Sequence, residues 1–539
     1  MAQRGPGRPA NPPTAKGRGS RTRKIVLKDM SGGLNNAADL TTLLNNEFAD
    51  VKNFDVDVNG GLVSRPPIVK VANAPEAAYM RTVGYYTDLG GIDYVVVSSA
   101  GGTWICNLTT FAYTKISSIV ASGAAQYKSR LYICSATASG GYWNGSSFTA
   151  LDSGAMKMPK GEQLLLFKGR FWLISQELGS ERGRIYFSRI DALGVSPTTV
   201  DEWNTAQDFF DVSAGDGQWI SCLKAGSAEI FIFRNGSTYF FKYDSSPLSG
   251  RLELLNGTIG ADNADAVDQY EFSFLVLSAG RLYRFVSYNY YPLNDQQKVR
   301  LQPATTVGLE TVTAVSVFGR RALVWYGGIT YVLDLDQGTW STWESPTTMV
   351  GVFKRRPRRE DDLTPDVAYG YTAMSAAGLR GLYRIQDFFD PSSTEEIVCE
   401  IQTKAFDWEQ PDSWKRLWGW SVDVLTARQV QGTVEPIQLD AAQANWDDME
   451  DVVDGWDGLE SGTWDQPMAV SSIVERDIDF PYAAPYRVNV SFPQVDQRYR
   501  RVTFNVRLTN DGTSATAPCR IVALTVNTEV KARIPQLVQ

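Results

Sequence analysis

Between residues 81 and 390 one local unit recurs: a β-rich strand, a turn containing Gly or Asn, and a second strand ending in an aromatic. Its instances are 92–97 with 103–107, 130–134 with 141–143, 170–175 with 184–188, 229–233 with 236–241, 320–326 with 329–334, and 370–373 with 381–385. β-Branched and aromatic residues suit a pleated, half-buried surface, and Gly or Asn tolerates the backbone of a tight turn. A lone hairpin leaves one apolar face in water, so repetition at roughly 40–60-residue intervals points to small sheets stacked on one another, as in a β-propeller. The intervals are uneven, which leaves the blade number open. A large sandwich of irregular hairpins is the competing architecture.

Composition agrees with short strands. The 539 residues include 46 Gly, 15 Trp, 24 Tyr and 24 Phe, and long stretches with helical period are few. The length accommodates two or more domains. After about residue 392 the strands lengthen, with 397–403, 414–425, 486–492, 502–508 and 520–526 as the clearest, which suggests a β-sandwich or jelly-roll-like domain. The expected division is a flexible basic arm at 1–24, an entry segment with a short helix and hairpin at 25–80, a β-propeller-like domain at 81–391, and a β-sandwich-like domain at 392–539. That last domain contains an acidic, Trp-rich loop at 440–465.

Charge separates the arm from the body. Net charge is −8, yet residues 1–24 hold seven Lys or Arg and no acid, so the remainder carries −15. Arg4, Arg8, Arg18, Arg21 and Arg23 make the arm a candidate contact for DNA or for a neighbouring subunit. No apolar run approaches the ~20 residues of a membrane span, and the N-terminus lacks the apolar core of a signal peptide, so a soluble, unprocessed body is expected. Five dispersed cysteines form neither a metal spacing nor a disulfide framework, which fits synthesis in a reducing cytoplasm. The chain has no histidine. That excludes Ser-His-Asp triads, Cys-His dyads and His-ligated metals.

Residues 31–67, SGGLNNAADLTTLLNNEFADVKNFDVDVNGGLVSRPP, have an ordered sequence of parts. Ser31, Gly32 and Gly33 break the chain, and Asn45 or Asn46 is placed to cap a short helix with Phe48, Val51 and Phe54 on one side. The period then changes to two, Asn59-Gly60 offers a tight turn, and Leu62-Val63 begins a return strand. The order Gly-Gly-Leu-Asn, helix, Asn-Phe, Asp-rich strand, Gly-Gly-Leu, Ser-Arg-Pro resembles the opening of podovirus-type phage tail nozzle or tail-tube proteins. Residues 184–212 followed by 230–239, IFIFRNGSTY, are similar in order to the propeller region of such nozzles, and 331–343, YVLDLDQGTWSTW, resembles the outer strands of a propeller blade.

The resemblance implies a non-enzymatic virion protein: a ring, six-fold in the family, that continues the DNA channel below the portal and adaptor, carries tail fibres and gates genome ejection. It implies no cofactor, no metal and no membrane insertion, with DNA as a passing cargo. A receptor-binding or glycan-degrading propeller is the alternative. Candidate partner contacts are Trp446, Trp456 and Trp464 with Asp447 and Asp457, because an acidic loop that carries tryptophans is suited to a protein interface. Arg355, Arg356 and Arg358 in the charge run KRRPRREDD are further candidates.

Two chemical readings are weaker than their bland counterparts. Asp55, Asp57 and Asn59 match the first half of a calcium loop, but position twelve is Pro66, and hairpin alternation explains the same residues. Asp447, Glu450, Asp454, Asp457 and Asp465 supply carboxylates near tryptophans, without any sign of the paired separation that glycoside hydrolysis needs. Asn-X-Ser/Thr sequences at Asn107, Asn144, Asn235, Asn256 and Asn489 read as turn or strand residues.

Overall fold

The computed structural model describes residues 21–57, 59–78, 80–154, 157–175, 183–189, 201–212, 217–244, 246–295, 298–302, 313–344, 354–355, 367–371, 380–386, 395–406, 415–426, 430–438, 474–478, 486–492, 498–499, 502–510 and 520–530. Among these, every regular element of more than three residues is a strand. Among the described residues no helix is long and apolar enough to cross a membrane.

Each recurring hairpin is the middle of a four-stranded antiparallel blade. Blade 1 is Met80–Thr87, Asp93–Ser99, Gly102–Asn107 and Tyr113–Ser117; blade 2 is Gly123–Tyr127, Arg130–Cys134, Gly141–Trp143 and Phe148–Ala150. Blades 3 to 6 begin at Gly161, Ile220, Val267 and Ala314, and the seventh is Lys354–Arg355, Val367–Tyr371 and Gly381–Gln386. Its fourth strand is Ile68–Asn73, which pairs with Gly381–Gln386 from the far side of the sequence. The chain therefore runs from the outermost strand of blade 7 straight into the innermost strand of blade 1. The last blade is thereby tied to the first.

The protein is a β-propeller of seven described blades. The first strands of successive blades pack side by side, and Val367–Tyr371 closes the circle against Met80–Thr87. Buried aromatic and aliphatic residues fill the spaces between blades, as with Trp172 against Phe187, Phe210, Phe241 and Tyr243 at blades 3 and 4. Gln126 of blade 2 reads the backbone of blade 1 with both ends of its amide, accepting from Thr87 N at 2.9 Å and donating to Thr87 O at 2.8 Å. Gln163 does the same to Leu223 of blade 4, at 2.7 and 3.1 Å.

The second β domain has two sheets. One has the order Tyr486–Phe492, Lys415–Thr426, Arg520–Val530, Leu62–Ser64, Phe54–Val56, with Arg21–Leu27 also paired along Arg520–Val530. The other is ten-stranded and begins as blade 6; Trp340–Trp343 meets Glu47–Lys52 in parallel, which pairs with Ile397–Thr403, then Val502–Asn510, Val430–Gln438 and Val474–Ile478. Ile397–Thr403 alternates strictly between buried and half-buried positions, as a strand with one covered face does. Its buried residues join Phe48, Val51, Phe54, Leu62, Phe504, Val506, Leu524 and Val526 in one apolar core that continues into blades 5 and 6.

This topology corrects three expectations. The strands of the entry segment before Arg65 belong to the second domain, so the propeller is inserted between the N-terminal and C-terminal strands of that domain. Arg21 and Arg23, assigned to a flexible arm, stand in a strand opposite Val530 and Thr528. The helix expected from Phe48, Val51 and Phe54 is instead the strand Glu47–Lys52 followed by Phe54–Val56.

The physical reason for the missing helix is a β-bulge. The register shifts between Phe48 and Asp50, so that Phe48 and Val51, three residues apart, both turn inward. Asn53 then takes a left-handed backbone, φ 58°, which redirects the chain and buries Phe54 in the other sheet. A bulge and a kink reproduce helical spacing in extended chain. The hairpin that follows pairs Phe54 with Ser64 and Val56 with Leu62. Among the described residues of its turn Gly60 alone has positive φ, 77°, and it donates to Asp57 O at 2.8 Å.

Candidate functional site: the axial mouth of the propeller

In a four-stranded blade, the connection between the second and third strands lies at the same end as the link to the next blade. At that end the first strands of several blades converge on a cavity of about 630 Å³. Arg81 and Thr82 of blade 1, Ser122 ahead of blade 2, Glu162 of blade 3, Asn263 and Asp265 ahead of blade 5, and Thr313 ahead of blade 6 line it. Segments 98–100 and 135–137, which join the second and third strands of blades 1 and 2, complete the rim. Residues from blades 1 and 5 can share a cavity only across the propeller axis.

Several of these side chains are fixed. Asn263 donates to Thr313 O at 2.7 Å and accepts from Asp265 N at 2.8 Å, which caps the short turn that starts blade 5. Ser122 Oγ donates to Cys134 O at 3.2 Å and to Gly161 O at 2.5 Å, joining blades 2 and 3. The Arg81 guanidinium donates to Ser122 O. Ser99 Oγ donates to Glu76 at 2.8 Å. Thr82 differs: it is 3% exposed, and its hydroxyl has no hydrogen-bond partner.

The mouth thus offers one guanidinium, two carboxylates and a ring of hydroxyls between small apolar residues such as Ala100 and Ala136. Such a surface binds polar ligands by many donor and acceptor contacts. Cys134, whose thiol lies 3.5 Å from Ser122 Oγ, is pushed up to about 11 by burial and is poorly suited to act as a nucleophile. Among the described residues no group of three or more Cys, Asp and Glu converges to hold a metal ion.

A buried titratable cluster between blades 2 and 3 is structural. Asp201 of blade 3 accepts from Tyr132 Oη at 2.6 Å and Arg130 at 2.9 Å, both of blade 2. Burial raises its pKa despite these donors. Asp55, the first residue of the calcium-like motif, is buried and accepts from Arg321 Nε at 2.8 Å and Trp343 Nε1 at 3.0 Å, so its carboxylate fastens the N-terminal hairpin to blade 6. Asn107, Asn144 and Asn256 cap their own turns through Oδ1.

Arg355 sits in the first strand of blade 7, with its backbone opposite Ala368. Trp446, Trp456, Trp464, Asp447, Asp457, Glu450, Asp454, Asp465, Arg356, Arg358, Arg4, Arg8 and Arg18 lie outside the described residues. The mouth itself was not singled out from sequence. Its signal was the run of small hydroxyl residues at consecutive turns, Ser98-Ser99, Ser122, Ser135 and Thr137, which resemble ordinary turn chemistry until blades bring them together.

No family profile matches the chain, and no curated protein matches it. Among solved structures it is similar to the extracellular domain of a one-component system of B. thetaiotaomicron, at 8% identity over 65% of this chain and 42% of that one, TM-score 0.39. It is similar to virginiamycin B lyase from Staphylococcus aureus, at 9% identity over 59% of this chain and 99% of that one, TM-score 0.39. It is also similar to YCF48 from Cyanidioschyzon merolae, at 10% identity over 59% and 98%, TM-score 0.36. At these values the likenesses carry no argument about function. The chain spans less than half the length of the first of these proteins.

Proposed function

We propose that the chain is a non-enzymatic structural protein of a virion tail, a nozzle or hub subunit whose ring forms the distal DNA channel and gates genome ejection. The observation that carries this reading is the weld between the two domains. A ten-stranded sheet runs from blade 6 into the second domain, and both chain crossings, at 65–68 and 395–397, are held by one buried ion pair. A ring closes only if each protomer meets the next by the same rotation, which requires domains held at a fixed angle. A body with −15 outside its first 24 residues supports the same role, since it repels phosphates and lets a duplex pass without sticking. Portal and adaptor proteins at one end and tail fibres at the other are the partners this role calls for, after synthesis in the host cytoplasm.

Electron microscopy of the purified protein, alone and mixed with tail components, tests the proposal. Rings with an axial hole, or incorporation into tails, are expected. A protein that stays monomeric and never enters tails refutes it. The axial mouth favours a second reading, a receptor-binding or glycan-degrading propeller, which predicts a compact oligomer without a central channel.

A further inference from the structure

We infer that the axial mouth is a binding site for a saccharide of a few units, carrying hydroxyls throughout and a carboxylate at one end. This rests on reading the mouth as a ligand site and is independent of ring assembly. The cavity of about 630 Å³ falls within the ~300–1,000 Å³ of small-molecule sites. Among the described residues its lining has no aromatic ring and so no platform for a flat base. What it offers is hydroxyl chemistry, and a hydroxyl both donates and accepts, which is what a ligand made of hydroxyls requires.

Arg81 gives the sharpest pointer: it lines the cavity, donates to the Ser122 carbonyl and has five N–H donors in all, enough to engage a carboxylate as well. Glu162 and Asp265 stand on blade 3 and ahead of blade 5, where they favour the hydroxyl-rich end and disfavour a second carboxylate.

Saturation-transfer NMR on the full chain tests this with maltotrionate, which is maltotriose oxidised to a single carboxylate at its reducing end, and with maltotriose and trialanine as probes. Transfer to maltotrionate is expected, weaker transfer to maltotriose, and none to trialanine. Thr82→Val should bind saccharide as the wild type does while the melting temperature stays the same or rises, because the variant loses a buried hydroxyl that has no partner and no surface open to the cavity. Arg81→Gln should abolish the preference for the acidic saccharide. The inference is overturned if neither saccharide shows transfer at millimolar concentration, if Arg81→Gln keeps the preference for the acidic saccharide, or if trialanine competes equally.

Discussion

Arg65→Ala should loosen the junction where the propeller is inserted. Arg65 is completely buried and spends all five donors: Nε on Asn53 Oδ1 at 2.9 Å, Nη1 on Pro66 O at 2.9 Å and Glu395 Oε2 at 3.3 Å, and Nη2 on Glu344 O at 2.8 Å and Glu395 Oε1 at 2.7 Å. Its partners come from the bulge strand's end, the entry to blade 7's outer strand, the end of blade 6 and the return into the second domain. Removing the guanidinium leaves the Glu395 carboxylate, whose side chain is 9% exposed, with the Ile68 amide at 2.5 Å as its remaining bond among these contacts. Breaking a buried pair from one side costs about 3–5 kcal/mol, because a buried charge loses its partner. For a cooperative unit of ~150–250 residues, at about 2–4 °C per kcal/mol, the melting midpoint should fall by roughly 6–20 °C. The assay is thermal unfolding followed by tryptophan fluorescence, on Arg65→Ala, Glu395→Leu and the double variant Arg65→Met/Glu395→Leu. The double variant should recover much of the loss, since paired apolar replacements of buried ion pairs are often near neutral. A midpoint for Arg65→Ala within about 1 °C of wild type, or a double variant worse than the sum of the singles, refutes the reasoning.

Three further outcomes are expected. Asn53 combines φ 58° with bonds from its side chain to Val398 O, Arg65 and Glu344 N, so Asn53→Gly, which keeps the backbone, should cost less than Asn53→Ala by about 1–2 kcal/mol in urea titrations; equal losses would remove backbone strain from the explanation. Burial raises the pKa of Asp50 despite Lys52 beside it, so its ionisation opposes folding at neutral pH and that cost disappears as pH falls below the unfolded value. Asp50→Asn should therefore be more stable than wild type at pH 7 and lose the advantage on acidification; a difference that does not change with pH counts against it. Cys106 and Cys134, pushed up to about 12 and about 11 by burial, should resist a thiol reagent at pH 8 in the native protein and react in denaturant, and rapid native reaction at either would contradict the packing.

The blade hairpins were legible because their information is local. Six of seven were marked by strand composition and turn residues. The seventh, Ser273–Ser278 with Arg281–Val286, was missed although its turn carries Ala279 and Gly280, both at positive φ. The run 334–338 read as a turn and is one, with Asp334 Oδ1 accepting from Asp336 N and Gln337 N at 3.0 Å. The entry segment misled because helical spacing at Phe48 and Val51 came from a bulge, which inserts one residue and changes which side chains face inward. At the mouth, sequence displayed the hydroxyl residues one turn at a time and gave no sign of their convergence.

Sequence by itself determined that this chain is built of short antiparallel hairpins, that its body is acidic, and that histidine chemistry is excluded. Each of these follows from residue identity or from neighbours a few positions apart. Only the tertiary structure decided the blade number, the pairing of Ile68–Asn73 with Gly381–Gln386, and the insertion of the propeller between strands at opposite ends of the chain. Those choices rest on contacts between residues hundreds of positions apart, such as Arg65 with Glu395 and Asp55 with Arg321. A side chain's partner at that distance leaves no trace in local periodicity, because burial and charge pairing are settled only when the sheets stack.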